Sequence, residues 1–425
     1  MDICTGELQI SHLDSNGHTS LGNKKLYNTI IIGAGPVGSY LAGKLARLGY
    51  KVLVMDKKMV AGQDVYCTGI ISKECLDLIP IDKNLIIRQV NSARFLAPSG
   101  KPLRLWRSNE TAYVIDRPAL NLALADHAQK SGVCYLFGTQ VADIQAGTDH
   151  LCVTANCGEE RKLFEAETAV IAAGFGSPLP GKLGLGEISD FTIGAQAEVN
   201  MSDPGEMEIY LDHRLAPGGF AWLVPTRDNR GLAGLLTHQQ PERHLNKLLS
   251  SLKTQGKIAS TEAILGYEAI PLQPLPKTYA HRMLVVGEAA GQVKPTTGGG
   301  IYYGLMCADI AADTLHQAFQ AHDFSKSRLA SYQKGWRARL GKELQVGYWA
   351  HRLYKKLDDR QIERLHNFIS NNGIPQFIAE LDDFSFDWHS DIILKTLKHL
   401  AVSIPAQAIK PLMKHNATVD SLNRQ

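Results

Sequence analysis

The chain has 425 residues, of which 44% are hydrophobic and 20% charged, and its formal net charge is +3. This composition is typical of a globular protein with ample core material, and so small a net charge argues against a nucleic-acid partner. No apolar run is long enough to span a bilayer. Residues 1–25 are polar and lack a signal-peptide core, so we predict a disordered tail on a cytoplasmic protein. The seven cysteines are scattered, which indicates free thiols, and their spacing predicts no metal site.

The first predicted unit is a strand, a glycine-rich turn and a helix. The strand NTIII at 28–32 leads into the turn GAGPVG. In such a turn, Gly33 permits the tight bend, Gly35 lets the backbone approach a pyrophosphate, and Gly38 lets the helix pack closely on the strand. The next predicted strand ends at Asp56, where a carboxylate suits a ribose hydroxyl. These features predict a dinucleotide-binding unit.

The middle of the chain is predicted to be rich in strands. Asp116 is the expected N-cap of a helix whose first turn contains Pro118. In chain order the elements are a hairpin at 89–105, a helix at 117–131, a strand–turn–strand at 133–145, a buried strand at 167–174, antiparallel strands within 192–237, a helix at 240–253 and a strand at 283–286.

This order predicts an α/β fold in which a Rossmann-like nucleotide-binding domain is interrupted by an antiparallel β-sheet substrate domain and followed by a C-terminal helical region. The last strand predicted for the nucleotide-binding domain begins only at residue 283, so we interpret the β-rich segments before it as an insert. The expected domains are a tail at 1–25, the nucleotide-binding domain at 26–90, 116–190 and 265–325, the substrate domain at 91–115 and 191–264, and the helical region at 326–425.

The segment GEAAGQVKPTTGGGI at 287–301 carries the second glycine-rich turn. Gly298, Gly299 and Gly300 leave no side chains between the backbone and a ligand. An apolar helix is predicted to begin directly after them, so its free N–H groups and the positive end of its dipole favour a flat or phosphorylated anionic partner.

Residues 326–357 form a basic helix with nine Lys or Arg residues and one acidic residue, Glu343, which is a net charge of +8. An apolar stripe also runs along this helix, formed by Leu329, Tyr332, Trp336, Leu340 and Leu344. The pattern fits peripheral contact with anionic lipid headgroups and, equally, a helix packed on the core with a solvated basic face.

Together these motifs resemble the geranylgeranyl reductase family, whose members are FAD-dependent proteins of the hydroxybenzoate-hydroxylase fold. The resemblance covers residues 27–325. It is carried by GAGPVG, Cys67-Thr68-Gly69, Asp116-Arg117, GGFAWLVP at 218–225, GEAAG and KPTTGGGIYYGL at 294–305. It implies bound FAD, with contacts from Gly33, Gly35, Val37, Gly38, Asp56, Cys67, Thr68, Arg117, Val141, Glu288, Gly299, Gly300 and Ile301.

The resemblance implies an enzyme that saturates carbon–carbon double bonds of geranylgeranyl or other polyprenyl chains, on lipids or isoprenoid diphosphates, by hydride transfer from reduced flavin. The electron donor is either transient NAD(P)H or a ferredoxin-type protein. Cys67 and Tyr302 are the candidate catalytic residues, and Phe220, Trp222 and Pro225 are the candidate walls of a substrate channel. Such a substrate would place the protein in the cytoplasm or peripherally on the inner face of the membrane. The oligomeric state is not predicted.

Two departures from the family pattern and two alternatives stay open at this point. Glu288 stands where many members have Asp, and the aromatic motif begins with Phe220 where Tyr is usual. One alternative is a flavin-dependent monooxygenase or halogenase of the same fold. The other is a prenyl-binding escort protein that is not an enzyme, although the intact glycine turn, Asp56 and Arg117 argue against it. A chlorophyll-pathway reductase is a variant of the main hypothesis.

Overall fold

The computed structural model describes residues 11–12, 26–80, 82–109, 112–381 and 384–403. Apart from Ser11 and His12, which pair with a strand of the large sheet, the predicted polar tail at 1–25 lies outside the described residues. The same holds for residues 404–425 of the predicted helical region.

Within these residues the strands are, in chain order, β1 (Ser11–His12), β2 (Tyr27–Ile32), β3 (Val52–Met55), β4 (Ile70–Ser72), β5 (Ile86–Val90), β6 (Ser92–Leu96), β7 (Pro102–Trp106), β8 (Ala112–Ile115), β9 (Cys134–Leu136), β10 (Thr139–Ala146), β11 (Leu151–Cys157), β12 (Glu160–Ile171), β13 (Phe191–Met201), β14 (Met207–Tyr210), β15 (Ala221–Pro225), β16 (Arg230–Thr237), β17 (Ile258–Pro271), β18 (Tyr279–Ala280) and β19 (Met283–Val285).

The α-helices are α1 (Pro36–Arg47), α2 (Lys73–Leu78), α3 (Arg117–Lys130), α4 (Leu179–Lys182), α5 (Pro241–Thr254), α6 (Ile301–Gln320), α7 (Lys326–Lys355), α8 (Asp359–Asn371), α9 (Ile374–Ala379) and α10 (His389–Ser403). Short 3₁₀ helices lie at Lys83–Leu85 and Gly287–Ala290.

The chain divides into two compact units. The first unit comprises residues 1–87, 113–192 and 269–348, and the second comprises 88–112, 193–268 and 349–425.

The first unit is built on a mixed sheet with the strand order β10-β11-β12-β2-β3-β9, to which β1, β18 and β19 add. Strands β12, β2, β3 and β9 run parallel, and β19 pairs in parallel with β12. The four residues of β3 are all buried, as are the last four of β2. Such continuous apolar runs are typical of parallel strands that are covered on both faces.

Helix α7 contributes its apolar stripe to the core of the first unit. The five predicted stripe residues, Leu329, Tyr332, Trp336, Leu340 and Leu344, are all at most 4% exposed. The indole N–H of Trp336 donates to Thr278 Oγ1 over 2.9 Å. The stripe is therefore a packing surface inside the protein, and the basic side chains lie on the opposite, solvated face.

The second unit is a seven-stranded sheet with the order β17-β13-β16-β15-β14-β6-β7. Helix α5 buries Leu245, Leu248, Leu249 and Leu252 in the same apolar cluster as Ala195, Leu223 and Leu235 of the strands. The neighbouring strands β14 and β6 pair in parallel, unlike the antiparallel pairs β13–β16 and β15–β16. The two parallel strands are far apart in sequence, so no hairpin forces them to run antiparallel.

Candidate functional site

The carboxyl ends of the parallel strands meet at one edge of the first-unit sheet. The N–H of Gly33 after β2 donates to Met55 O over 2.8 Å, and the N–H of Ala172 after β12 donates to Ile32 O over 2.8 Å. In open parallel sheets, ligands bind outside this edge. The turns that follow these strands therefore form the candidate site.

The first glycine turn has the geometry that its sequence predicts. Gly33 has φ +112°, and a β-carbon at Gly38 would overlap the carbonyl oxygen of Gly33. Gly35 differs from both, because a β-carbon there would meet no described atom within 4 Å. Gly33 and Gly38 thus serve the fold, whereas the space at Gly35 is free for a ligand.

Asp56 organises the next turn. Its carboxylate accepts the N–H of Ala34 over 2.6 Å and that of Lys58 over 2.8 Å, and its carbonyl accepts the N–H of Thr139 over 2.8 Å. The last bond brings the start of β10 to this turn. Val141 of β10 is buried in the core of the first unit.

The Cys67-Thr68-Gly69 turn packs against the beginning of α3. The N–H of Ile115 donates to Gly69 O over 2.9 Å. A β-carbon at Gly69 would lie only 2.8 Å from Cγ of Arg117. Cys67 is exposed and Thr68 is half-buried. The structure therefore brings together two motifs that lie about fifty residues apart in the sequence, and it does so through a close backbone approach that requires glycine.

Arg117 is a buried cation with one unused donor. Asp116 caps α3 by accepting the N–H of Ala119 over 3.0 Å, as predicted. Arg117 is only 7% exposed, and its guanidinium donates to Asn121 Oδ1 over 3.0 Å. Its Nε is buried and has no hydrogen-bond partner in the part of the chain that the structure describes. A buried unpaired guanidinium N–H costs free energy, so this group fits an anionic ligand that would pair with it.

Two helix N-termini are available at this edge. Helix α1 begins after Gly35 and helix α6 after Gly300, and neither cap residue has a side chain that accepts the N–H groups of the first turn. Gly298, with φ +76°, makes the turn before α6. Free N–H groups at a helix N-terminus attract phosphate and other anions. The first turns of α1 and α6, which contain Val37 and Ile301, are therefore the candidate anion-binding positions.

A buried hydrogen-bond network holds Gly287, the residue before Glu288. Gln292 accepts the N–H of Gly287 over 2.7 Å and donates to the hydroxyl of Tyr332 over 2.9 Å, and Tyr332 donates to Val285 O over 3.1 Å. Burial raises the pKa of Tyr332 well above its ordinary value, which keeps this donor protonated. Helix α7 thus fixes the turn that presents Glu288 beside Gly300.

Lys294 is a site residue to which the sequence analysis assigned no role. It is 4% exposed, and its Cε lies 2.6 Å from the position that a β-carbon would take at Gly299. The aliphatic part of the lysine side chain therefore packs against the glycine turn. The available signal was its position between the apolar residues Val293 and Pro295, which are also buried.

The two tyrosines after the glycines are in different environments. Tyr303 is completely buried, whereas Tyr302 is half-buried, and their ring centroids are 6.4 Å apart. Tyr302 is therefore the more accessible of the two side chains.

Phe220, Trp222 and Pro225 lie in the second unit. The rings of Phe220 and Trp222 are in contact, with centroids 5.9 Å apart, as expected from alternation along a strand. The indole Nε1 of Trp222 is buried and has no partner among the described residues. Alternation places the fully buried Pro225 on the other face of β15, so it does not share their surface.

Gly234 makes room for the Trp222 indole. A β-carbon at Gly234 would overlap the indole and lie 2.7 Å from Ala195 O. We expect Gly234→Ala to lower the unfolding free energy by about 2 kcal/mol, because it overpacks the sheet. It should also change tryptophan fluorescence. The control is Gly205→Ala, where a β-carbon meets no described atom within 4 Å. Equal unfolding midpoints and spectra for the two variants would contradict this packing.

Residues 27–198 match the Pyridine nucleotide-disulphide oxidoreductase family. The chain is 26% identical over 351 residues to a digeranylgeranylglycerophospholipid reductase of Methanocaldococcus jannaschii, a match that covers 80% of this chain and 90% of the relative. It is 27% identical over 409 residues to the reductase of that name from Methanospirillum hungatei, covering 91% and 96%.

Solved structures share the fold. A geranylgeranyl bacteriochlorophyll reductase-like protein from Thermoplasma acidophilum superposes with a TM-score of 0.78 at 22% identity, covering 92% of this chain and all of the other. The halogenase PltM, crystallised with FAD, gives a TM-score of 0.66 at 13% identity, covering 92% and 96%.

Proposed function

We propose that the chain is an FAD-dependent oxidoreductase of the geranylgeranyl reductase family and that it saturates the carbon–carbon double bonds of geranylgeranyl chains on a glycerophospholipid. Two relatives that match 80% or more of this chain bear the name of that activity. The structural observation that carries the proposal is the cradle in the first unit. Two helix N-termini without side-chain caps lie at the carboxyl edge of a parallel sheet, and a buried arginine with an unused N–H, Arg117, begins α3, which packs against the loop that follows β3.

FAD is the cofactor, and the groups of the first unit fit it. The open space at Gly35 suits the approach of a pyrophosphate to the backbone, and the unused Nε of Arg117 suits an anionic oxygen. We propose that Asp56 binds the ribose, that Glu288 binds the ribityl hydroxyls, and that Gly299 and Gly300 lie against the ring system. Cys67, Thr68 and the backbone of Val141 complete the proposed contacts.

When bound, the reduced cofactor supplies the hydride for one alkene carbon. The chain must then supply a dry, positively polarised surface and a proton for the other carbon, because an isolated alkene is not polarised. The N-terminus of α6 provides fixed positive N–H dipoles that favour the anionic, reduced ring.

We propose Cys67 and Tyr302 as the residues that hold this proton. Each carries a transferable proton on a side chain that the fold leaves at least partly accessible. The turn that carries Cys67 packs against Arg117 through Gly69. The neighbouring Tyr303 is excluded, because it is completely buried.

Exchange of these residues should separate catalysis from cofactor binding. We expect Cys67→Ser and Tyr302→Phe to retain FAD while one of them slows substrate-dependent flavin reoxidation by about tenfold or more, which is the lower end of general-acid effects. The measurement is anaerobic stopped-flow absorbance. Cys134→Ser, a half-buried thiol on β9, is the control. Wild-type rates in both test variants would assign the proton to another group or to water.

The prenyl chain needs an apolar surface, and we propose that Phe220 and Trp222 supply part of it. Their contacting rings form a continuous aromatic face. The buried Nε1 of Trp222 offers one donor to an oxygen of the substrate. Pro225 is left out of this proposal because of its position on the other face.

None of the helices that the structure describes combines the length and the hydropathy needed to cross a bilayer. We propose a peripheral contact with the inner face of the membrane through the end of α7. There Trp349 is 54% and Leu353 is 65% exposed, one helical turn apart, and the exposed cations Arg352, Lys355 and Lys356 flank them. Apolar side chains beside basic ones suit an anionic lipid surface.

Vesicle sedimentation tests this contact. We expect Trp349→Ala combined with Leu353→Ala to weaken binding to phosphatidylglycerol vesicles about tenfold, or ~1.4 kcal/mol. The control is Trp106→Ala, which removes another half-exposed tryptophan from the second unit. Equal binding by both proteins, or no preference of the wild type for anionic vesicles, would refute the contact.

The electron donor is proposed to be either NAD(P)H or a ferredoxin-type protein. One anaerobic experiment tests the donor and the reaction. Flavin bleaching by NADPH or by reduced ferredoxin identifies the donor, and recovery of the yellow spectrum on adding a geranylgeranyl lipid, but not its saturated analogue, supports the reaction. If only oxygen restores the spectrum, the lipid is not the electron acceptor and the proposed reaction is refuted; incorporation of an oxygen atom into a substrate would then identify a monooxygenase.

A further inference from the structure

Three side chains with the chemistry of metal ligands lie together on the first-unit sheet, toward the edge opposite the proposed FAD site. They are His150, Cys152 and Glu165, whose ligand atoms all lie within 4.8 Å of one another. Ala166, beside Glu165, pairs with Tyr27, the first residue of β2. The group therefore lies at the amino end of the parallel strands, whereas the glycine turns lie at their carboxyl ends.

The strands place all three side chains on one face. Leu151 and Val153 on β11 are completely buried, so Cys152 between them points to the other side of the sheet. Glu165 on β12 is the direct cross-strand partner of Cys152. His150 precedes Cys152 by two residues, which is the spacing that brings two side chains to the same face of a strand.

The backbone that carries His150 is held in place. The N–H of Gly147 donates to the carbonyl of His150 over 2.9 Å and closes the turn between β10 and β11. The guanidinium of Arg282, which is only 7% exposed, donates to Thr148 O over 2.7 Å. A ligand set on two paired strands and an anchored turn is largely preformed, which lowers the entropic cost of binding.

The distances suit a small divalent cation. Nε2 of His150 lies 3.7 Å from Oε1 of Glu165. In a tetrahedral zinc site with metal–ligand bonds of 2.0–2.3 Å, the ligand atoms are about 3.3–3.8 Å apart. Side-chain rotations that move the ligand atoms by roughly 1 Å therefore complete the site.

We propose that His150, Cys152 and Glu165 bind Zn²⁺ with a fourth position open to water. An imidazole, a thiolate and a carboxylate are the ligands that this borderline-soft cation takes, whereas a thiolate disfavours Mg²⁺ and Ca²⁺. The site is separate from the FAD cradle and does not depend on the proposed reaction. Metal binding competes with the direct approach of His150 Nε2 to Glu165 Oε1, which are 3.7 Å apart.

The test uses the full chain, freed of metal with a chelator and kept reduced. Zn²⁺ is titrated against a chromophoric competitor, and Co²⁺ is added separately as a spectroscopic probe. We expect one equivalent to bind, with a thiolate-to-cobalt charge-transfer band and tetrahedral d–d bands. Cys152→Ser and His150→Ala should each lower the Zn²⁺ affinity at least tenfold and remove the charge-transfer band or weaken it.

The matched control is Cys157→Ser. Cys157 lies on the same strand and also faces a glutamate, Glu160, across the sheet, but it belongs to no three-ligand group among the described residues. This variant should bind like the wild type. Absence of stoichiometric binding, or an equal loss in Cys157→Ser and Cys152→Ser, would overturn the proposal. Thermal unfolding of the metal-free variants identifies any loss of Zn²⁺ affinity that comes from misfolding.

Discussion

Gly35→Ala is expected to fold normally and to bind FAD roughly thirty-fold more weakly, a loss of about 2 kcal/mol. The residue has φ −67°, which alanine adopts freely, and a β-carbon would meet no described atom within 4 Å. Without FAD, the variant should lose less than about 1 kcal/mol of unfolding free energy, because the only change is that alanine is a poorer N-cap than glycine. Any larger effect must come from the ligand that fills the space. Equilibrium dialysis with FAD and denaturant unfolding measure the two quantities separately.

Gly38→Ala is the contrasting variant. Its β-carbon would overlap the carbonyl oxygen of Gly33, so the helix and the turn must separate whether or not FAD is present. We expect this protein to lose stability and to accumulate in the insoluble fraction. If Gly35→Ala instead bound FAD like the wild type, the pyrophosphate would not approach the backbone at this turn.

Arg117→Met is expected to weaken FAD binding about a hundred-fold, or ~2.7 kcal/mol, because a charge-assisted hydrogen bond to phosphate is lost. Methionine keeps the aliphatic stem that packs near Gly69. It removes a guanidinium whose Nε is buried and unpaired in the described chain. The protein without FAD should therefore be as stable as the wild type or more stable, while its thermal stabilisation by FAD disappears.

A cation that serves ligand binding can be replaced without loss of stability but with loss of FAD affinity. Replacement of a structural cation lowers the stability of the FAD-free protein. The control is Arg104→Met, which removes a half-exposed arginine that pairs with Glu206 in the second unit. It should change neither FAD affinity nor the stabilisation by FAD. A large loss of stability in cofactor-free Arg117→Met would show that Arg117 holds the fold together through Asn121.

The parts of the site that sequence could predict are those with local causes. The requirement for glycine follows at residue 33 from its own φ of +112° and at residue 38 from a contact with Gly33 O, and the cap at Asp116 follows from the orphan N–H groups of its own helix. The fold class is confirmed by the strand order, and the similarity to named reductases supports the family assignment. The roles of individual site residues stay predictions.

Sequence could not predict the contacts that arise between distant segments. The support of Gly287 by Gln292 and Tyr332 requires α7 to pack beside β19, and nothing near Gly287 indicates this. The burial of Lys294 beneath Gly299 likewise depends on how the loop closes. Composition also could not decide what the apolar stripe of α7 covers, because a core and a membrane select similar side chains.

The proposed metal site illustrates the same limit. His150 lies in the turn just before β11, Cys152 lies on β11, and Glu165 lies opposite Cys152 on β12, so the sequence shows no metal-binding spacing. The prediction that the chain has no metal site rested on spacing alone. Cross-strand pairing, which sequence patterns leave undetermined, is what brings Cys152 and Glu165 together.

The central claim is that this chain uses FAD to reduce prenyl double bonds, and the most direct measurement is the mass of the lipid after a single turnover. The protein is loaded with FAD, reduced anaerobically with dithionite, freed of excess reductant and mixed with a digeranylgeranylglycerophospholipid. The account predicts lipid that is heavier by two hydrogens, in an amount equal to the flavin reoxidised. Unchanged lipid mass across several polyprenyl substrates, with the flavin still reduced, would contradict it.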